Sequence, residues 1–325
     1  MLATFYSIRK IYYTILQVIG IPVNLVAIVI LSRGKCGLST CITRYLVAMA
    51  TADLLVITVG VILFQINVYY FPSYFLAITP VCSVIAVLTR IFIDCSVWFT
   101  VTFSFDRFVL ICCKKLKIKY CTKETADMVI ATTCFLLCLK NVPWYFTYKP
   151  REIINNVTLG CNVKSSYFTE PGWMAMDWFD SILTPVLPFA LILLLNGLTV
   201  RQILVASRVR KGLRGQSKGA IRNDPEMESR RKAMILLFTV SGNFILLWFT
   251  NVTYFLYYRI TETDPTYYNV SLKIFQQIGY MMLNLSCCTN TFIYGVTQAK
   301  FREQFKSTVN YPITLLVKLI NNKNI

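Results

Sequence analysis

The segment "SFDRFVLICCKKLKIK", Ser104–Lys119, ends a long apolar run with an adjacent acid and base, Asp106 and Arg107, and then turns basic at Lys114, Lys115, Lys117 and Lys119. A charge beside hydrocarbon is expensive unless it is paired or reaches an interface. The segment therefore reads as the end of a membrane helix that keeps a charge pair for use.

The rest of the chain supports that reading. Its 325 residues are 56% hydrophobic and only 15% charged, with a mean hydropathy of +0.56. Soluble domains carry about 25% charge. The apolar residues gather into seven runs long enough to cross a bilayer as helices: Ile11–Leu31, Tyr45–Tyr70, Pro80–Cys112, Ala126–Phe146, Trp178–Val200, Ala233–Tyr257 and Ile274–Val296. Lys140, Asn141 and Pro143 interrupt the fourth. Unbroken runs fit helices, which satisfy their own backbone groups, and do not fit the alternating strands of a membrane barrel. The expected fold is an all-α membrane protein, a seven-transmembrane helix bundle with a short interfacial eighth helix. Residues 1–10 form an outer stub, 11–297 the bundle, and 298–325 the interfacial helix and tail.

The net charge is +18. With the N-terminus outside, 24 Lys and Arg fall on the inner side and 7 on the outer, so the positive-inside rule sets the orientation. Charges clustered at span ends suit anionic membrane lipids and do not suggest a nucleic-acid partner. The first run is too long for a signal peptide, and no small-residue cleavage site follows it. No internal repeat stands out.

The chain has 12 cysteines and no histidine. Ten cysteines fall on the inner side or within spans. Cys82 and Cys161 remain on the oxidising side, where a disulfide persists. Zinc chemistry has no support without histidine or paired C-x-x-C spacing. Asn156-Val157-Thr158 and Asn269-Val270-Ser271 are glycosylation acceptors in outer loops. Similar matches at Asn251 and Asn284 lie within spans.

Polar residues inside spans are functional candidates, since lipid offers them no partners. Asn24, Asp53, Ser96 and Asn290 lie near the middle of their helices. A carboxylate ringed by hydroxyl and amide oxygens can hold sodium or a proton, or glue the helices together by hydrogen bonds. Both readings stay open for Asp53, Ser96 and Asn290.

The combination of Asn24, "ADLL", Asp106–Arg107, a Pro in helix five, Trp248 in helix six and Asn290-x-x-x-Tyr294 resembles the rhodopsin-like G-protein-coupled receptors. The resemblance covers Ile11 to about Phe305, and Cys82 lies at the family's spacing before Arg107. "PVNLVAIVILSRGKCGLS" is similar to the orphan group of probable G-protein coupled receptors 139 and 142. The resemblance implies a plasma-membrane receptor, with no enzymatic activity, that couples an extracellular peptide or amino-acid-like ligand to a heterotrimeric G protein. It implies that Asp106, Arg107 and Tyr294 form the switch. Departures are Phe108 in the "DRY" motif, Thr250 and Thr291 at usual prolines, and Arg230 where many members carry an acid. A seven-span transporter or channel is the alternative, although paired repeats and broken helices are not visible.

Arg90 and Asp94 stand at i and i+4 in the outer half of helix three, a spacing that lets them pair. A zwitterionic ligand or a peptide bearing both charges would replace each partner, with Trp248, Asn251 and Tyr254 of helix six and Tyr280 and Asn284 of helix seven as walls. A purely structural ion pair is the competing reading.

Overall fold

The structure, a computed structural model, describes residues 2–66, 74–113, 120–214, 225–261 and 268–308. The end of the second apolar run at 67–70, the lysine-rich 114–119 and the tail beyond 308 lie outside them.

Seven helices of spanning length form one bundle among the described residues. Helix one is Leu2–Ser32 and starts well before Ile11, so the expected outer stub continues the helix. Helix two is Thr40–Leu55, capped by Ser39, and widens into π-helical turns over Val56–Ile66. Helix three, Thr79–Cys112, runs uninterrupted for about 51 Å at the α-helical rise. Helix four is Lys123–Asn141, followed by a 3-10 segment Val142–Thr147 that begins beside Pro143. Proline removes a backbone donor, which explains why the regular helix stops there.

Helix five comprises Pro171–Ser181, a distorted turn Ile182–Val186 containing Pro185, and Leu187–Arg214. Helix six is Pro225–Thr261, and helix seven is Val270–Thr297, capped by Asn269. Six of these helices are apolar enough by composition to cross a membrane. The seventh is diluted by Gln276, Gln277, Asn284, Thr289 and Asn290. Helices five and six run well past the apolar runs at the Asp106–Arg107 end, because charged residues do not break a helix that water can solvate.

A further helix covers 299–308. Phe301 is buried and packs edge-on against Tyr294, with centroids 6.0 Å apart. Arg302 donates to the carbonyls of Gly295 and Val296 at 3.0 and 2.9 Å, satisfying orphan acceptors at the end of helix seven.

Apolar residues also cover the outside, including Leu246, Ile260 and Val296. In water such a surface would drive association; in a bilayer it is the lipid contact. Inside, small residues permit close approach. A Cβ on Gly60 would lie 2.8 Å from a Thr89 methyl carbon, and one on Gly279 would lie 3.3 Å from Asn251 Cα.

At the opposite end the loop after helix four folds into two short antiparallel ladders, Tyr148–Lys149 with Asn162–Val163 and Glu152–Ile154 with Val157–Leu159. Asn155 and Asn156 turn the hairpin with φ of 50° and 63°, the left-handed pair that Asn tolerates in two-residue turns. The hairpin is fastened to the start of helix three. Cys82 and Cys161 form a disulfide with Cα atoms 5.8 Å apart. Gly160 N–H donates to the Ala77 carbonyl at 2.6 Å, and the Thr79 hydroxyl donates to the Gly160 carbonyl at 2.8 Å.

Candidate functional site

Helix three carries polar groups at three depths. From Arg90 to Arg107 is about 26 Å along its axis at 1.5 Å per residue, so one rigid element connects the hairpin end to the opposite end.

The outer layer differs from the expected Arg90–Asp94 pair. Asp94 is buried and is held from helix four: Lys140 Nζ and Asn141 Nδ2 each donate to its Oδ2 at 2.7 Å. Lys140 also bridges to Asp180 on helix five. Arg90 instead faces Asp180 at 3.5 Å and stacks its guanidinium 4.1 Å from the Trp144 ring centroid. Helix-three periodicity puts residues 90 and 94 on one face, but Lys140 competes for Asp94 from the neighbouring helix, where a short ammonium reach suffices.

The four charges are not equally available. The side chains of Lys140 and Asp94 are only 7% and 6% accessible, whereas that of Arg90 is 39% accessible. Lys140 and Asp94 form a sealed brace across helices three, four and five. Arg90 is the charge that an incoming molecule can meet. Tyr148 of the hairpin strand hydrogen-bonds Arg90, and Arg90 and Asp177 both lie in the electrostatic surroundings of Tyr280. Burial first, and Asp177 next, raise the Tyr167 phenol above its ordinary range, so Tyr167 stays a donor to Asp177.

Of the expected wall residues, Tyr280 therefore shares surroundings with Arg90. Tyr254 accepts from Gln276 at 2.7 Å and meets the Tyr268 and Phe275 rings edge-on. Asn284 turns back to its own helix, donating to the Tyr280 carbonyl at 2.7 Å, and Asn251 packs against Gly279. Trp248 is buried, stacks on Phe244 at 5.2 Å, and donates to Ser286 at 3.3 Å. It forms the floor between this region and the next layer.

In the middle layer Ser96 donates to Asp53 Oδ1 at 2.5 Å and Asn290 Nδ2 to Oδ2 at 2.9 Å. Asn24 donates to the Cys287 carbonyl at 2.8 Å, while its Oδ1 has no hydrogen-bond partner among the described residues. The Thr291 hydroxyl is likewise buried without a partner. Asp53 thus accepts from helices three and seven, and these hydrogen bonds tie its carboxylate into the centre of the bundle.

At the far end Asp106 and Arg107 are both almost fully buried and paired with each other. The Cys41 thiol of helix two donates to the other Asp106 oxygen at 3.0 Å. The Arg107 guanidinium lies 5.6 Å from the Phe103 centroid, and its Nε has no hydrogen-bond partner among the described residues. Tyr294 is buried, and its hydroxyl also lacks one among the described residues. Ser104 and Ser241 hydroxyls stand 3.5 Å apart between helices three and six. The side chain of Arg230 lies outside the described residues.

Sequence reasoning missed Asp180, Asn141, Trp144 and Cys41. Lys140 carried a usable signal: a lysine inside an apolar span calls for a buried partner. Cys41 carried none, since a cysteine at a helix start resembles any small apolar residue. Asn156 stands exposed at the hairpin tip, whereas Asn269 is engaged as a helix cap, accepting from Leu272 N–H at 2.8 Å.

A model of the family described as 7 transmembrane receptor (rhodopsin family) matches residues 23–294. A relative, the FMRFamide receptor of Drosophila melanogaster, is 25% identical over 306 residues. That alignment covers 90% of this chain and 52% of the relative, so the chain spans about half the length of the curated relative it matches.

Proposed function

The chain belongs to the rhodopsin family of seven-transmembrane receptors, and on that premise we propose that it transduces binding of an extracellular peptide or amino-acid-like ligand to a heterotrimeric G protein. Receptors of this family are not enzymes, and this one is a multi-pass membrane protein. The orientation is N-terminus outward at the plasma membrane, supported by the excess of Lys and Arg on the Asp106–Arg107 side.

The observation that carries the reading is the accessible Arg90 guanidinium, poised over Trp144 beside Asp180 and beneath the fastened hairpin. A guanidinium in a partly dried site recognises carboxylates and carbonyl oxygens by paired hydrogen bonds. Ligand contact with Arg90 competes with its 3.5 Å pairing to Asp180, which adjusts the packing of helices three and five. Trp248 and the Asp53 layer relay that adjustment along helix three, and Arg107 leaves Asp106 to meet the G protein. The event is a change in charge pairing that biases a two-state bundle. A sodium ion at Asp53, Ser96 and Asn290 would favour the resting arrangement.

A peptide ligand is supported by the relative named for FMRFamide. The similarity of the first helix and loop to the orphan group of probable G-protein coupled receptor 139 points to amino-acid-like ligands as the second class to test. The experiment is G-protein activation in transfected cells exposed to FMRFamide, other amidated peptides and free amino acids. Arg107→Ala serves as the control. Activation that survives Arg107→Ala, or activation insensitive to Arg90→Gln, overturns the reading.

A further inference from the structure

Helices five and six diverge along the half of the bundle that holds Arg107, leaving an open groove of about 540 Å³. Val200 and Leu204 form one wall, and Met234, Ile235 and Phe238 the other. The groove opens outward. Leu204 is 52% and Ile235 44% accessible, while Leu236, Leu237 and Val240 on the opposite face of helix six are buried. It therefore faces the bilayer and not the interior, where Arg107 lies.

Its lower rim is basic. Arg231 lines the groove directly, one turn before Met234 and Ile235. Arg208 is exposed and follows Leu204 by four residues, which puts it on the same face of helix five. Among the described residues no acidic side chain lines the groove. An apolar slot of this kind, open to hydrocarbon and ending in guanidinium groups at headgroup depth, is complementary to an amphiphile with an acyl chain and an anionic head.

The geometry points to a binding site for one anionic phospholipid between helices five and six, its acyl chain against Leu204, Ile235 and Phe238 and its phosphate on Arg231 and Arg208. Guanidinium matches phosphate oxygens in a bidentate fork, which an ammonium cannot do. The basic side is the one where anionic lipid concentrates. The lipid would occupy the seam along which helix six separates from helix five, and would so set the ease of that separation.

The purified full chain is placed in nanodiscs of equal parts phosphatidylserine and phosphatidylcholine, then stripped with detergent, and the retained lipid is identified by mass spectrometry. The site predicts retained phosphatidylserine in excess over phosphatidylcholine. Arg231→Gln with Arg208→Gln lowers that excess by roughly fivefold for each arginine that contacts the head. Leu204→Trp, which fills the groove on a lipid-facing surface, lowers retention of both lipids. Equal retention of the two lipids overturns the assignment, as does an excess that the double variant leaves unchanged. If no lipid is retained and Leu204→Trp instead abolishes G-protein activation at normal surface expression, the groove receives a protein partner and the assignment is wrong. Lipid retention needs neither agonist nor G protein, so its outcome is separate from that of the receptor reading.

Discussion

Lys140 on helix four reaches Asp94 on helix three at 2.7 Å and thereby takes the partner that helical spacing offers to Arg90. The same ammonium bridges Asp180, so one lysine fastens three helices. Removing one member of a buried pair leaves an uncompensated charge, at a cost of about 3–5 kcal/mol. Lys140→Met should lower surface expression and thermal stability sharply. Adding Asp94→Asn should recover part of the loss, because it removes the carboxylate left without a cation, whereas Asp180 keeps Arg90. Failure of the double variant to improve on the single one, in melting temperature of the solubilised receptor, argues against the brace.

Arg107 and Asp106 are buried together, and Cys41 holds the second carboxylate oxygen. Asp106→Asn should raise basal G-protein activity, since it removes the charge restraining Arg107. Cys41→Val should raise it by a smaller amount. A thiol is a weak donor, so its hydrogen bond contributes about 0.5–1.5 kcal/mol, and a rise of about two- to tenfold is expected in a nucleotide-exchange assay. Arg107→Ala should abolish exchange at comparable surface expression.

Sodium at Asp53 is testable without knowing the agonist. A ligand present at ten times its dissociation constant stabilises the state it binds by about 1.4 kcal/mol. The purified receptor should melt at a higher temperature in sodium chloride than in choline chloride of equal strength. Asp53→Asn should abolish the difference. Equal melting temperatures for the unmodified protein would leave Ser96 and Asn290 as hydrogen-bonding glue alone.

The two outer acceptor sequences should behave differently. Asn156 stands at an exposed turn, whereas Asn269 caps helix seven at the membrane edge. Asn156→Gln should remove a glycan-sized shift on gels of the expressed receptor, and Asn269→Gln should not. Asn269→Gln should instead cost about 1 kcal/mol through loss of its cap.

The spans were legible because most are almost unbroken apolar runs, with helix four interrupted at Lys140 and helix seven diluted by amides, and lipid leaves helices as the economical solution. Their ends were less so. Leu2–Lys10, which carries two charges, and the charged far ends of helices five and six are helical as well, because a helix once formed extends cheaply into water. The hairpin at Asn155–Asn156 was hidden: its strands are only two or three residues long, below any periodic signal. In the midplane, Asp53, Ser96 and Asn290 could be grouped by depth alone. The outer layer could not, because choosing among Arg90, Lys140 and Asp180 as partners depends on how the helices are rotated, which one sequence does not encode.

The bridge between Cys82 and Cys161 joins residues 79 apart in the chain. In the proposed orientation, with the N-terminus outward, Cys82 would reach the oxidising compartment while helix four and the hairpin are still being made. At ribosomal speed that interval is roughly 4–16 s. Throughout it the first thiol waits, yet no third cysteine lies in the outer loops to capture it wrongly. The correct bridge therefore follows from translocation order, without selection by an isomerase among competing pairings.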